Sequence, residues 1–396
     1  MALCLSSHAN AVGTADLDLD SAPNRDPLCR ANCAWQTQVG ADRNERLAAS
    51  IILDDGTIVV TGSTESTRFT GTAGWAFQLS DSGHLEWQRV VAAPGSIVLE
   101  GLAQRRDGTL VMVGRAFIRE DSHGGQTDVL VVEMDRSGDV LNRWVVSAGG
   151  QQGAAAVAML EDGSLVLAGY AERPEGNRAA RITLIGPDRQ IAWEQVVDAE
   201  YGATALDAAV VGDRIAVVGS ARGADREAYA WLRTFDRDGF VLSDSVLARG
   251  RRASATAVAV TGHDTLVVGG LEQSDARLSG FVAELGLDGQ PLWSRRVTSP
   301  DGGDARIEDV AVARDGSLLA AGELAGDGVV LRFADGEVAW ESRYGTATGR
   351  DSITSVAELA NGDIVATGWI TNARDGDRNT DAWVIRVDNH GGAAQR

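Results

Sequence analysis

The sequence predicts an all-β protein, a closed β-propeller of seven blades, each a four-stranded antiparallel sheet. Three observations predict this fold. A tight turn, an apolar strand and a glycine recur in seven copies, each copy contains four short strand signals, and a spare strand precedes the first copy. Four strands in a unit of about 40–50 residues are typical of a propeller blade. Sheets that are apolar on both faces become stable when neighbouring units stack on one another.

The copies are recognised by their turn and their closing glycine. The first copy reads Asp55-Gly56-Thr-Ile-Val-Val-Thr-Gly62. Four more copies open at Asp107, Asp162, Asp315 and Asn361, and two degenerate copies open at Gly212-Asp213 and His263-Asp264. The closing glycines are Gly62, Gly114, Gly169, Gly219, Gly270, Gly322 and Gly368, which gives a period of 46–55 residues. Asp-Gly and Asn-Gly turns between apolar runs are strong hairpin signals, so each copy predicts one blade.

Each copy has the same order of strand signals. In the first copy, the apolar strand 47–53 precedes the turn, the β-branched strand 58–60 follows it, and the third strand is 75–79. A second tight turn at 81–83 leads to a fourth strand, which a tryptophan opens. The tryptophans are Trp87, Trp144, Trp193, Trp293 and Trp340, and Ser243 takes this place in the fourth copy. We expect these rings to pack between neighbouring blades as part of the core.

The two ends of the chain complement each other. The last copy ends without a tryptophan strand, whereas the spare strand 35–39, which begins at Trp35, precedes the first copy. We expect this strand to pair with the C-terminal blade and close the ring, because closure removes the exposed edges that promote aggregation. Residues 34–396 are therefore predicted to form a single propeller domain, with residues 1–33 outside the ring.

The N-terminal segment predicts export. Ala9-Asn10-Ala11 follows a short apolar stretch and matches a signal-peptide cleavage pattern, so residues 1–33 are interpreted as a signal-peptide remnant followed by a disordered or loosely attached segment. Cleavage after Ala11 would remove Cys4 and leave Cys29 and Cys33, which could form a disulfide in an oxidising compartment. A plain disordered tail and two free thiols are the alternatives. The predicted location is periplasmic, cell-surface or secreted.

Charge and hydropathy limit the partners. The chain has 56 acidic residues against 36 basic ones, a net charge of −20, which disfavours nucleic acid and anionic membranes as partners. The sequence has no apolar run of about 18 residues, so no transmembrane segment is predicted. Every basic residue is arginine, which excludes lysine-based nucleophilic chemistry. A protein partner or an extracellular glycan remains.

Three segments carry a likeness to known repeats. Asp381-Ala-Trp-Val-Ile-Arg-Val-Asp388 and Asp128-Val-Leu-Val-Val-Glu-Met-Asp135 resemble bacterial propeller repeats of the delta-60 and SBBP kind. Asp81-Ser-Gly-His-Leu-Glu-Trp87 is more distantly similar to the PQQ-type repeats of quinoprotein dehydrogenases and of the outer-membrane assembly propeller. The resemblance covers residues 35–396. It implies the fold and leaves the function open, because propellers have many unrelated roles.

A local site is expected at one end of the ring. The loops that enter each innermost strand, and those that join the second strand to the third, surround the axis at this end and are the longer ones; we call it the long-loop face. Among these loops are 170–179, 220–228 and 369–380. The alternating Asp375, Asp377, Asn379 and Asp381 predict a calcium site, since hard cations prefer carboxylate and amide oxygens. A solvated acidic loop is the alternative, because Arg386 replaces the expected bidentate glutamate.

A second candidate is the rim of the central channel. Glu100 and Glu308 share one position of the repeat, and Asp207 and Asp309 lie nearby in register. These four carboxylates are expected to ring the channel mouth, around a cation or an arginine, or else to be solvated without a ligand.

The sequence favours a non-catalytic role. It contains neither a Gly-x-Ser-x-Gly elbow nor a His-Glu-x-x-His motif. We therefore predict a binding or scaffold propeller of the bacterial envelope or exterior, which contacts a protein partner through its long-loop face, with calcium as the one possible cofactor. An exported enzyme (a lyase, a hydrolase or a quinoprotein) and a sugar-binding lectin using Trp369 are the alternatives.

Overall fold

The computed structural model describes most of the chain as β-strands. The described residues are 13–15, 33–40, 43–65, 71–93, 95–118, 126–147, 149–262, 264–273, 276–346, 349–374 and 377–389. These segments contain 29 strands and no helix. Seven antiparallel sheets form the seven blades, and the hydrophobic clusters between neighbouring sheets form the core, so the predicted all-β seven-bladed fold is confirmed.

Strands are numbered along the chain and blades are numbered in the same order. Two strands precede blade 1: β1 (Gly13–Ala15) and β2 (Cys33–Val39). Blade 1 contains β3 (Glu45–Ile52), β4 (Ile58–Thr64), β5 (Ala73–Leu79) and β6 (Leu85–Ala92). Blade 2 contains β7 (Ile97–Gln104), β8 (Leu110–Ile118), β9 (Gln126–Met134) and β10 (Val140–Val146). Blade 3 contains β11 (Gln152–Met159), β12 (Leu165–Glu172), β13 (Arg178–Ile185) and β14 (Ile191–Val197).

The remaining blades repeat this order, with the innermost strand first. Blade 4 contains β15 (Ala203–Val211), β16 (Arg214–Arg222), β17 (Ala228–Phe235) and β18 (Val241–Gly250). Blade 5 contains β19 (Arg252–Val260), β20 (Leu266–Gln273), β21 (Ser279–Leu285) and β22 (Pro291–Val297). Blade 6 contains β23 (Ala305–Val312), β24 (Leu318–Leu324), β25 (Asp327–Ala334) and β26 (Glu337–Tyr344). Blade 7 contains β27 (Ser352–Glu358), β28 (Ile364–Arg374) and β29 (Asp377–Val387).

Every innermost strand has a β-bulge opposite its closing glycine. In blade 1, Leu47 pairs with Gly62 and the register shifts between Leu47 and Ala49. A β-carbon on Gly62 would lie 2.0 Å from the carbonyl oxygen of Arg46. The same approach to a carbonyl oxygen recurs at Gly114, Gly169, Gly219, Gly270, Gly322 and Gly368. The closing glycine is therefore required by the close passage of backbone at the bulge.

The bulges turn one residue of each blade towards the axis. The bulged residues are Ala48, Glu100, Ala155, Leu206, Thr256, Glu308 and Thr354, and together with the residues that follow them they line a central cavity of about 150 Å³. The predominance of small side chains here follows from the crowding of seven strands around one axis.

The tryptophans of the outer strands pack against the next blade, as predicted. Trp87 of blade 1 lies beneath Gly138 of blade 2, and its indole Nε1 donates to the carbonyl of Arg136 over 2.9 Å. The same packing of an indole ring beneath a turn glycine joins Trp35 to Gly83, Trp193 to Gly239 and Trp293 to Gly336. Between blades 4 and 5, where no tryptophan is available, Ser243 and Ser245 approach Gly289 instead.

Trp144 differs from the other outer tryptophans. It pairs with Val131, whereas Asn142 occupies the position in the ladder that tryptophan takes in blades 1, 3, 5 and 6. The facing turn of blade 3 has Arg189 at φ 63° in place of the usual glycine, and its guanidinium lies 4.8 Å from the centre of the Trp144 ring. A side chain at this turn position leaves no space for a ring beneath it, so the tryptophan lies two residues further along the strand.

The ring is closed as predicted. Strand β2 pairs antiparallel with β29, and Trp35 lies opposite Arg386. The Arg386 guanidinium binds Asp363 over 2.7 Å and donates to the carbonyl of Asp81 in blade 1. Strand β1 adds a short fifth strand to blade 1 by pairing with β6.

Much of the N-terminal segment lies outside the described residues. Cys33 is disulfide-bonded. Cys29 and the Ala9-Asn10-Ala11 pattern fall on residues that the structure does not describe. The signal-peptide remnant and the Cys29–Cys33 pair therefore remain predictions.

Three loops of the long-loop face differ from the prediction. Strands β12 and β13 extend into 170–179, and only a tight turn at 173–177 remains between them. Strands β16 and β17 shorten 220–228 in the same way. The segment 369–380 is a hairpin rather than a loop, because β28 continues to Arg374 and β29 begins at Asp377. In these segments the backbone hydrogen bonds of the hairpins extend the strands, although the polar composition predicts loops.

Candidate functional site

The predicted calcium ligands lie in and beside the hairpin of blade 7. Asp375 and the side chain of Asp377 fall outside the described residues, and Asn379 and Asp381 belong to β29. The Asp381 carboxylate is buried and accepts a hydrogen bond from Nε2 of Gln38 in the closing strand. The described residues contain no group of three or more His, Cys, Asp or Glu side chains arranged to hold a metal ion. The calcium site stays a prediction.

The structure brings the four predicted rim carboxylates into one cavity. Glu100, Asp207, Glu308 and Asp309 all line the central channel. Glu100 pairs with Arg115 on the neighbouring strand β8, and Glu308 lies 4.0 Å from the guanidinium of Arg306. An arginine guanidinium therefore faces each of these two glutamates.

The two aspartates connect neighbouring blades. Asp207 accepts hydrogen bonds from the backbone N–H of Ala208, in its own bulge, and of Val258 in blade 5, both over 2.8 Å. Asp309 makes the equivalent bonds to Val310 and to Val356 of blade 7. These bonds satisfy N–H groups that the bulges remove from the strand ladder.

Two threonines make the complementary connections. The hydroxyl of Thr256 donates to the carbonyl of Ile307 in blade 6 over 2.7 Å, and that of Thr354 donates to Leu47 in blade 1 over 3.0 Å. Aspartate and threonine thus alternate along the channel from blade 4 to blade 1, each bonding to the bulge of the next blade. These polar side chains of the channel connect each of blades 4 to 7 to the blade that follows it in the ring.

Burial changes the acidity of the channel carboxyls. Loss of hydration raises the pKa of Asp207 to about 7, and the nearby charge of Asp309 adds to the rise, while the two backbone N–H groups oppose it. Burial likewise raises the pKa of Asp309 to about 6. Burial also raises the pKa of Glu100 and of Glu308, although Arg115 and Arg306 lower them in part.

A cleft on the long-loop face spans the ends of blades 3, 4 and 5. Its volume is about 580 Å³. The lining residues that carry polar groups on their side chains are Asn177, Arg178, Tyr201, Thr204, Ser220, Arg222, Arg252 and Ser254. The remaining lining residues are glycines, alanines and one leucine, Leu271. Three arginines and no carboxylate line this cleft, although the chain as a whole has a net charge of −20.

Hydrogen bonds of the backbone place the central residues of the cleft. The N–H of Tyr201, in the loop entering blade 4, donates to the carbonyl of Arg222 over 3.0 Å, and the N–H of Arg222 donates to Gly202 over 2.9 Å. Gly202 has φ +104°, a conformation that favours glycine. The entry loop is thereby fixed to the end of β16, and Tyr201 and Arg222 are held at the same cleft.

The three arginines are positioned without carboxylates. The Arg222 guanidinium donates to the backbone carbonyls of Arg226 and Arg251. The Arg178 guanidinium lies 4.0 Å from the centre of the Tyr170 ring, and Arg252 is exposed at the start of β19. Within the described part of the chain, none of the three lining arginines forms an ion pair. No ion pair among the described residues occupies their guanidinium groups, although the charge of Arg178 also acts on Glu100.

The sequence pattern does not predict this cleft. Its residues come from the ends of strands in three blades, and only the curvature of the ring brings them together. One signal was present: Arg222 comes three residues after a closing glycine, where blades 1 and 3 have Glu65 and Glu172. A reversal of charge at one repeat position marks a blade whose surface differs from that of its neighbours.

Comparison with known proteins agrees with the architecture. No protein-family model matches the sequence, and no curated protein matches it either. Among solved structures, the fold is similar to Sqt1 from Chaetomium thermophilum, with a TM-score of 0.52, 13% identity and coverage of 89% of this chain and 97% of that one. It is also similar to the polysaccharide lyase Uly1, with a TM-score of 0.55, 9% identity and coverage of 88% and 90%.

A third similar structure is Drosophila Semaphorin 1b, extracellular domains 1–2, with a TM-score of 0.50, 9% identity and coverage of 88% of both chains. Likenesses at this level of identity show the fold alone. Within the described ranges, no helix could cross a bilayer. The chain is a seven-bladed β-propeller, and the chemistry of its own cleft must indicate the function.

Proposed function

We propose that this protein is a non-catalytic binding propeller that holds its partner at the cleft of the long-loop face. The observation that supports this proposal is the cleft between blades 3 and 5, whose volume of about 580 Å³ falls in the range of ligand sites. Hydrogen bonds fix Asn177 and Arg222, and a ring contact fixes Arg178, before any ligand arrives, which lowers the entropic cost of binding.

The composition of the cleft favours binding over turnover. General acid–base catalysis needs a group that exchanges a proton near neutral pH, most often histidine or a carboxylate. The cleft lining contains neither of them. Of the five histidines, only His84 lies in the described part of the chain, and it belongs to a tight turn on the opposite face.

We also propose that the protein acts outside the cytoplasm. Cys33 is disulfide-bonded, and disulfides persist in oxidising compartments. The Ala9-Asn10-Ala11 pattern supports the same location. The accessible partners there are proteins and glycans.

The experiment compares a blocked cleft with a blocked opposite face. Thr204→Trp fills the cleft, and Glu161→Trp places the same ring on an exposed turn of blade 3 at the other end. Thermal shift is measured with panels of glycans and peptides, since a ligand that binds only the folded state raises the Tm. We expect a ligand that shifts the wild type and Glu161→Trp but not Thr204→Trp. A ligand that shifts all three equally, or that is turned over, would contradict the proposal.

A further inference from the structure

The charge of the cleft is opposite to that of the protein. The chain has 56 acidic and 36 basic residues, yet Arg178, Arg222 and Arg252 line one cavity that contains no carboxylate. Three cations in one cleft repel each other, and counter-charge from a bound anion would remove that repulsion. The electrostatics of the cleft therefore favour an anionic ligand.

The arginines are arranged to bind an oxyanion. Arg222 is held by two backbone carbonyls, which orient its guanidinium and leave its charge uncompensated. Arg178 lies over the face of Tyr170, in a cation–π contact that uses none of its N–H groups. The planar fork of a guanidinium binds carboxylate, sulfate and phosphate through two parallel hydrogen bonds. Both the residue type and the placement of these arginines therefore favour an oxyanion as the ligand.

The rest of the lining favours a saccharide over a peptide. Asn177, Thr204, Ser220 and Ser254 offer amide and hydroxyl groups, which match the hydroxyls of a sugar. The ring of Tyr201 is 41% exposed, although Arg226 lies 5.0 Å from its centre. A site for an apolar peptide segment would present pockets for its side chains, and Leu271 is the one large aliphatic residue in the lining. An acidic peptide, which arginine clusters also bind, is distinguished by the test with hexaglutamate.

We propose that this cleft binds an acidic saccharide, and that Arg178, Arg222 and Arg252 hold its carboxylate or sulfate group. The proposal rests on the proposed function and names the ligand class of the same site. The two oxyanions share the same chemistry of recognition, and the test separates them.

The test is calorimetric titration with four probes: digalacturonate, a sulfated galactose disaccharide, the neutral galactose disaccharide and hexaglutamate. Arg252→Gln removes one charge at an exposed residue, and Arg222→Lys keeps the charge but removes the planar fork. Arg106→Gln is the matched control, because Arg106 is 75% exposed on a turn of the opposite face. The melting temperature of each variant verifies its fold.

We expect one of the two acidic disaccharides to bind the wild type and Arg106→Gln, with affinity that falls as salt rises. Arg252→Gln and Arg222→Lys should each weaken binding at least tenfold, and the neutral disaccharide should not bind. The proposal is overturned if neither acidic disaccharide binds the wild type, if both cleft variants bind as the wild type does, or if only hexaglutamate binds.

The outcomes separate this inference from the proposed function. If Thr204→Trp abolishes binding of a ligand that carries no oxyanion, the binding propeller stands and the saccharide inference fails. If an acidic disaccharide binds but is turned over, the ligand class stands and the non-catalytic function fails.

Discussion

The carbonyl oxygen of Arg46 occupies the space that a β-carbon on Gly62 would need, only 2.0 Å from that position. The relation recurs with a backbone carbonyl in all seven blades, at distances of 1.9–2.1 Å. It connects the most regular feature of the sequence, the closing glycine, with the bulge that lines the central channel. The repeat is conserved within the chain because each blade must bend its innermost strand at the same point.

A closing glycine should tolerate no side chain. Gly114→Ala would place a methyl group 1.9 Å from the carbonyl oxygen of Val98, so the bulge must shift, and we expect the free energy of unfolding to fall by about 3 kcal/mol. Urea denaturation measures this loss. Gly262→Ala is the control, because a β-carbon there has open space around it and should change little. Equal effects of the two substitutions would show that the close approach does not matter.

Trp193 and Ser243, at the same repeat position in blades 3 and 4, test the contacts that the outer strands make with the next blade. Trp193→Ala removes a ring that packs beneath Gly239 and donates to the carbonyl of Arg237, and we expect a loss of about 3 kcal/mol. Ser243→Ala, at the same position of the repeat, removes one hydroxyl contact with Thr234 and should cost about 1 kcal/mol. Urea denaturation of both variants checks the difference, and similar losses would mean that the tryptophan adds nothing across the blade boundary.

The fold was predictable from the sequence because its signals are local and repeated. Each signal marks a backbone feature that is defined within a few residues: the turn at Asp55-Gly56, the close backbone approach at Gly62 and the spare strand beginning at Trp35. The shift of Trp144 is also readable in the sequence, because Trp144 follows Gly138 by six residues where Trp87 follows Gly83 by four, but its contact with Arg189 of the next blade is not.

The site was only partly predictable. The rim carboxylates Asp207 and Asp309 were found by their register, but their bonds to the next blade depend on the bulge geometry. The cleft combines Arg178, Arg222 and Arg252 from blades 3, 4 and 5, and no spacing in the sequence relates them. The curvature of the ring brings together residues that follow no common motif.

Stability should fall with rising pH because of the channel aspartates. The pKa of Asp207 is about 7 and that of Asp309 about 6 in the folded chain, against an ordinary value of 3.8. The folded state therefore retains protons that the unfolded state releases, and the free energy of unfolding decreases from about pH 4 to about pH 7. Denaturation at several pH values measures this slope.

Substitution of the same groups provides the control for the pH experiment. The double variant Asp207→Asn and Asp309→Asn should be less stable but should show a shallower slope over this range. Asp315→Asn should leave the slope between about pH 5 and pH 7 unchanged, because hydrogen bonds from Ser317 lower the pKa of Asp315 in the folded state to about 2 and its ordinary value of 3.8 also lies below pH 5. An unchanged slope in the double variant would assign the titration to other groups.

Blade 3 contains a buried arginine that can be tested by a double-mutant cycle. Arg181 is 5% exposed and donates to Glu194 over 2.7 Å, at a position where blades 1 and 4 have Trp75 and Trp231. Arg181→Leu leaves Glu194 without its partner and should cost about 2 kcal/mol. Adding Glu194→Leu should recover part of this loss, since a matched apolar pair can replace an ion pair. Strictly additive effects would show that the two side chains do not interact.

Ring closure can be tested by shortening the chain. A chain beginning at residue 41 lacks β2 and exposes the edge of β29, so we expect a lower Tm and aggregation, measured by light scattering. A chain beginning at residue 33 and carrying Cys33→Ser keeps β2 without a free thiol and serves as the control, and it should remain monodisperse. Aggregation of both chains to the same extent would contradict a specific role for the closing strand.

The hydrogen bond between Gln38 and Asp381 joins residues that are 343 positions apart. At synthesis rates of about 5–20 residues per second, about 20–70 s separate the two residues as they leave the ribosome. During this interval the strand that begins at Cys33 has no partner, while blades 1 to 6 are synthesised one after another. Until the ring closes, the nascent chain therefore has unpaired strand edges. Correct closure requires that these edges do not pair with other chains before β29 is synthesised.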